Sequence, residues 1–233
     1  MADKFLAGPA YFLTGTDTGV GKTSICVAIL EVLKLRGFQV AAMKPVASGG
    51  TKTAAGILNL DAQRILEHIN TSHDYRTINP VSLYMPTAPI IAAKYAHMRI
   101  EAGPVLESYK RLSESADVIL VEGVGGWHVQ LNESLWMADL VKLLNLPVIM
   151  VVGLRLGCIN HAILTAEAIV NAGCRLHGWI GNHIDAGYQD AGETMGLLAR
   201  SISAPMLAAV PYFPQADIKQ MVSCLKDIYL PEI

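Results

Sequence analysis

The chain has 233 residues, enough for one α/β domain with a sizeable core, and is expected to form a single domain over 1–233. Hydrophobic residues make up 52% and charged residues 16%, with a net charge of −2 and no basic block that would point to nucleic acid. No apolar run is long enough to span a bilayer, no signal-peptide pattern opens the chain, and Cys26, Cys158, Cys174 and Cys224 form no C-x-x-C pair. The expectation is a cytoplasmic protein with reduced thiols and no membrane partner.

Short apolar runs alternate with amphipathic stretches, the pattern of a mainly parallel sheet with helices on both faces. Strands are predicted at 11–14, 39–44, 118–122, 148–153, 177–182 and 206–210. Helices are predicted at 22–36, 60–69, 87–97, 105–115, 136–144, 160–171, 191–202 and 216–228. The first strand opens into Gly15-Thr16-Asp17-Thr18-Gly19-Val20-Gly21-Lys22-Thr23-Ser24, followed by a helix with Ile25, Ala28, Ile29, Val32 and Leu33 on one face. This is P-loop organisation, in which backbone N–H groups and a helix N-terminus collect phosphate oxygens, a lysine neutralises charge and a threonine hydroxyl meets Mg²⁺. The pattern departs from the strict motif because Thr16 stands where glycine is usual and Gly15 comes one place early. The whole therefore reads as a P-loop NTPase-like α/β fold that binds a nucleotide.

In such sheets ligands gather beyond the carboxyl ends of the strands. The second predicted strand ends at Lys44, followed by Pro45-Val46-Ala47-Ser48-Gly49-Gly50. That end would present an ammonium and a hydroxyl, or simply a solvated lysine before a turn. Asp61 opens a helix, either as a metal-directed carboxylate or as an acid that favours the first turn. Four apolar residues lead to Glu122, a Walker B layout in which the carboxylate approaches the metal, and Gly123, Val124, Gly125 and Gly126 follow. Asp117, at the opposite end of that run, reads as structural. The fourth predicted strand leads to Gly157-Cys158-Ile159-Asn160-His161, where helix N–H groups can collect an anion or Asn160 can act as a cap. Asn182 and His183 close the fifth strand; the amide suits a purine edge or a turn. Pro211, Tyr212 and Phe213 follow the last strand, either beside a base or as a rigid turn.

Taken together, Thr14–Thr23, Lys44-Pro45-Val46-Ala47-Ser48-Gly49, Val121-Glu122-Gly123-Val124-Gly125-Gly126-Trp127 and Leu156-Gly157-Cys158-Ile159-Asn160-His161-Ala162 resemble the dethiobiotin synthetases. The resemblance implies ATP-dependent carboxylation of 7,8-diaminopelargonate by CO₂ (or bicarbonate), with ring closure to a cyclic urea in biotin synthesis. It implies that Lys22 holds the β/γ-phosphates among the cradle residues Gly19, Val20, Gly21, Thr23 and Ser24. Thr23, Asp61 and Glu122 would position Mg²⁺, while Lys44 and Thr18 would meet the carbamate or γ-phosphate. Ser48 would bind the diamine or carbamate. Glu122, Gly123, Val124, Gly125, Asn182, His183, Pro211, Tyr212 and Phe213 would border ATP. Gly157, Cys158, Ile159 and Asn160 would read the substrate's distal carboxylate across a homodimer interface.

The chain also differs from some family members. Gly19 replaces a glutamate, Val124 stands where alanine is common, and Gly181-Asn182-His183 replaces Ala-Asn-Asp. A chromosome-partition switch is the competing reading, but Asp17 occupies the place of that group's extra lysine. A cobyrinic-acid amidating ligase would need a glutamine-hydrolysing domain for which no residues remain.

Overall fold

The computed structural model describes residues 9–215 and 217–230. β1 (Ala10–Gly15) leads into α1 (Lys22–Leu35) and β2 (Val40–Met43). Three short strands follow, β3 (Val46–Ala47), β4 (Thr51–Thr53) and β5 (Gly56–Leu58), then α2 (Leu60–His68), α3 (Tyr75–Ile78), β6 (Val81–Ser82), α4 (Pro89–Tyr95) and α5 (Ala102–Ser113). The chain continues through β7 (Val118–Glu122), α6 (Met137–Leu144), β8 (Val148–Leu154) and α7 (Cys158–Asn171). It then passes through β9 (Leu176–His183), α8 (Ala191–Ser201), β10 (Met206–Val210) and α9 (Ile218–Leu225).

Six strands form one parallel sheet in the order β10-β9-β8-β1-β7-β2. Their sequences are near-continuous apolar runs because both faces are covered: every residue of β1, β2, β7 and β8 is buried. The crossover through α1 moves toward β2, whereas the one through α7 moves toward β9. Right-handed connections therefore put these helices on opposite faces. β1 lies where the direction of winding reverses, flanked by two strands that come much later in the chain. The crevice at such a reversal is where open α/β sheets bind ligands. Its floor is set by register: Leu13 lies opposite Glu122, Gly15 opposite Val151, and Asn182 opposite both Gly153 and Val210.

All six predicted strands of the main sheet are present, with ends moved by at most one residue. The helix expected at 160–171 begins earlier, at Cys158, with Gly157 as its N-cap in the left-handed region at φ +88°. Asn160 is thus a residue of the first turn and not a cap. The helix expected at 216–228 is shorter. Asp217 caps it by accepting the N–H of Lys219 at 2.9 Å, and position 216 lies outside the described residues. The N-terminal residues 1–8, on which the signal-peptide reading depends, also lie outside them. The hairpin β4–β5, the parallel pair β3–β6 and the one-turn α3 have no counterpart in the sequence prediction. Among the described residues all four cysteines are free thiols, and no helix is long and apolar enough to cross a membrane.

Candidate active site

The P-loop leaves β1 through two constrained glycines. A Cβ on Gly15 would lie 2.6 Å from Val20 Cγ2 and 3.2 Å from Lys22 Cδ, which explains why glycine stands one place earlier than the strict motif has it. Gly21 caps α1 at φ +89°, and a Cβ there would lie 2.3 Å from Asn182 Nδ2. The Asn182 amide in turn donates to the Val20 carbonyl at 2.9 Å. Asn182 is therefore a brace for the phosphate loop, with its amide oxygen and second N–H not used in that bond.

Lys22 and Thr23 open α1 and are both buried. The Lys22 ammonium folds back to donate to the Asp17 carbonyl at 2.9 Å, lying along the inside of the loop. Burial, then the charge of Lys44, pushes its pKa down to about 8 against the pull of Glu122, Asp61 and Asp17. Asp17 accepts the Thr18 N–H at 2.7 Å and pairs with Arg155 at 2.6 Å, tying the loop to the segment after β8. Arg155 was not singled out in the sequence; only its place just after a strand end could have drawn notice.

Beside the loop, two strand-end and two helix-start residues meet. Thr23 Oγ1 donates to Glu122 Oε1 at 2.7 Å, and the Lys44 ammonium bonds the same Oε1. Lys44 also reaches Asp61 Oδ2 at 3.1 Å. Lys44 is 3% exposed and Glu122 fully buried, so theirs is an interior ion pair, with Asp61 at its solvent-facing side. Burial opposes the charge on Lys44, but Glu122 and Asp61 outweigh it and hold its pKa above the usual lysine value. Asp61 is held below the usual carboxylate range: burial would raise it, and Lys44, Thr23 and Lys22 together overcome that. Glu122 Oε2 is buried and meets no hydrogen-bond partner among the described residues. A carboxylate oxygen with unmet demand, a second carboxylate and a threonine hydroxyl make a hard-oxygen donor set suited to a divalent cation. No group of three or more His, Cys, Asp or Glu forms a metal cage among the described residues. A cation here would complete its shell with phosphate oxygens and water.

The segment between β5 and β6 builds the frame that aims this cluster. Asn59 caps α2, accepting the N–H groups of Asp61 at 3.0 Å and Ala62 at 3.3 Å, which fixes Asp61 in the first turn. The Tyr75 hydroxyl accepts the Asn59 N–H at 2.6 Å and donates to Asn79 Oδ1 at 2.9 Å. The Asn79 amide then bonds the Lys44 carbonyl at 2.6 Å, while the Lys44 N–H donates to the Ile78 carbonyl at 2.8 Å. Asn59 Nδ2 also reaches the Ser48 carbonyl at 3.3 Å. One polar chain thus orients Asp61, Lys44 and Ser48.

Thr18, Ser48, Val124 and Gly125 line a single cavity of about 770 Å³, with Pro89 and Val129 among its apolar walls. Farther along the edge, His183 and Tyr212 meet in a T-shaped contact with centroids 6.0 Å apart, beside Asn182. His183 Nε2 lies 2.8 Å from the Asp185 carbonyl. Pro211 and Phe213 flank Tyr212 in sequence just past the end of β10, and Ser24 follows Thr23 on α1. The first turn of α7 holds Cys158 buried, Ile159 half-buried and Asn160 exposed, a separate place on the same strand-end side of the sheet. Asp117 lies at the remote edge, where it accepts the Gln39 N–H at 2.8 Å.

A parallel sheet wound about a glycine-bearing loop, with a buried lysine and threonine on the following helix, defines a P-loop nucleotide-binding protein. Solved structures agree on the fold. A ParA family ATPase from Chlorobium tepidum TLS covers 94% of this chain and 91% of its own at TM-score 0.55 and 15% identity. MinD in the Aquifex aeolicus MinC:MinD complex covers 93% and 86% at TM-score 0.59 and 14% identity.

An AAA domain family model matches residues 9–220. ATP-dependent dethiobiotin synthetase BioD from Xanthomonas oryzae pv. oryzae (strain PXO99A) is 43% identical over 90% of this chain and 93% of its own length. The protein of that name from Aliivibrio fischeri (strain MJ11) is 40% identical over 91% and 94%. The chain belongs to the ATP-dependent dethiobiotin synthetase family.

Proposed function

We propose that this chain is the ligase that converts 7,8-diaminopelargonate, CO₂ and ATP into dethiobiotin, acting as a single-domain homodimer in the cytoplasm. An amine adds to CO₂ and loses a proton to give a carbamate. A carbamate oxygen attacks the γ-phosphorus and ADP leaves. The second amine then attacks the carbamoyl carbon, expelling phosphate and closing the cyclic urea. The observation that carries this reading is the placement of two ammonium groups, Lys22 and Lys44, beside a phosphate loop that opens on a largely apolar cavity. An aliphatic diamine with a charged reacting head fits that combination.

In this reading Lys22 moves from the Asp17 carbonyl onto the β/γ-phosphates, and loop N–H groups from Gly19 to Ser24 hold the remaining oxygens. Lys44 offsets the repulsion between carbamate and triphosphate as charge grows between them. Thr18 and Ser48 hold the diamine or carbamate at the cavity wall. Glu122, Gly123, Val124 and Gly125 border the nucleotide, and the His183, Pro211, Tyr212 and Phe213 rim flanks its base. Thr23, Asp61 and Glu122 would hold Mg²⁺, which supplies charge neutralisation on the β/γ-phosphates when bound. Gly157, Cys158, Ile159 and Asn160 read the distal carboxylate of substrate bound in the other subunit. Incubation with Mg-ATP, bicarbonate and the diamine should yield the cyclic urea by mass spectrometry, one ADP for each ring. ATP consumption with no cyclic product would sink the reading.

A further inference from the structure

We propose that Lys44 is a tethered counter-cation of the metal site, competing with the divalent ion for Asp61 and Glu122 and released toward the transferring phosphoryl group when the metal arrives. This rests on the reading of Thr23, Asp61 and Glu122 as metal donors. The geometry that carries it is convergence. The Thr23 hydroxyl and the Lys44 ammonium share one oxygen, Glu122 Oε1, and the ammonium also holds Asp61 Oδ2 at 3.1 Å. A cation bound at Thr23 Oγ1 and drawing on either carboxylate stands a few ångströms from the ammonium. Two positive charges that close repel strongly where water is excluded.

The construction favours exchange over coexistence. The Lys44 backbone is fixed on both sides, by the Ile78 carbonyl and the Asn79 amide, so only its flexible stem is left to swing. Lys22 adds a further positive charge to the same neighbourhood. Without a divalent ion, the ammonium neutralises the fully buried Glu122 carboxylate, whose charge would otherwise be costly, and pairs with the half-exposed Asp61. With one, the carboxylates go to the metal and the displaced ammonium is delivered where phosphate and carbamate charge develops. Metal loading and the arming of the lysine become one event.

The test measures Mn²⁺ binding by electron paramagnetic resonance of the free ion, without nucleotide, in the parent protein and in Lys44→Met, Lys44→Arg and Glu122→Gln. Lys44→Met should bind Mn²⁺ tighter by on the order of tenfold, because the competing charge is gone. Lys44→Arg should stay near the parent, and Glu122→Gln should bind more weakly. Should Lys44→Met be unfolded without metal, Mn²⁺ should restore its cooperative melting, which reads the same competition. Unchanged or weaker Mn²⁺ binding by Lys44→Met, or no rescue of its melting, would overturn the counter-cation role while a weakened Glu122→Gln leaves the metal site standing. Parent-like Mn²⁺ binding by Glu122→Gln would remove the metal site and the competition together.

Discussion

Lys22 combines two demands that conflict at the level of a single side chain. It must be charged to hold phosphate, yet burial and then the nearby Lys44 charge push its pKa down to about 8. Anions bind its protonated form, so affinity is steady below that pH and falls as pH rises through about 8. Bound phosphate itself raises the pKa and stretches the fall upward. ADP binding without Mg²⁺, measured by calorimetry across this range, should show the decline, and Lys22→Arg should flatten it because guanidinium keeps its proton. A level profile in the parent would contradict the burial argument. Lys22→Ala should lower turnover by a factor on the order of 10² or more, the usual scale for lost charge stabilisation; near-normal turnover in a folded variant would exclude the phosphate role.

At the scale of elements, the one-turn α3 has an influence out of proportion to its length. Tyr75→Phe removes the hydroxyl that joins Asn59 to Asn79, leaving a donor and an acceptor without their partner at a cost of about 1–3 kcal/mol. Because the chain ends on Asp61 and Lys44, the variant should need more Mg²⁺ and lose kcat while the KM for ATP changes little. Titrations overlaying the parent would leave Tyr75 a merely local role. This support was not legible in the sequence. The six main strands announce themselves as apolar runs, and the P-loop and Glu122 follow from their ends. By contrast β3, β6 and α3 are too short for periodicity to show, and Asp61 reads locally as an ordinary first-turn acid. Only the tertiary path that sets Asn79 against Lys44 gives them their place. The helix start at Cys158 was missed for a related reason, since a glycine N-cap leaves no polar side chain to mark it. With Asn160 exposed in the first turn of α7, Asn160→Ala should raise the KM for the diamine and spare ATP affinity. The variant should also discriminate less between the acid and its ester; parent-like discrimination would place the carboxylate elsewhere.

For the molecule as a whole, several large apolar side chains are exposed, among them Leu156 before α7 at 88% and Leu164 on it at 56%. If the proposed homodimer forms through α7, Leu164 would be covered by the partner. Leu164→Asp should therefore shift sedimentation toward a monomer and reduce turnover, most at low protein concentration; an unshifted dimer would direct the interface to another face. The order of the strands has a further consequence, for how the protein is made. β1 carries the phosphate loop, yet its two neighbours begin only at Val118 and Val148, and β2 must also await β7. As synthesis runs from the N-terminus, about half the chain has been made before either early strand has a partner. The six apolar-rich residues of β1 then wait on the ribosome as an unpaired edge, open to chaperones. The strand that carries the phosphate loop thus gains its first partner only when β7 has been made.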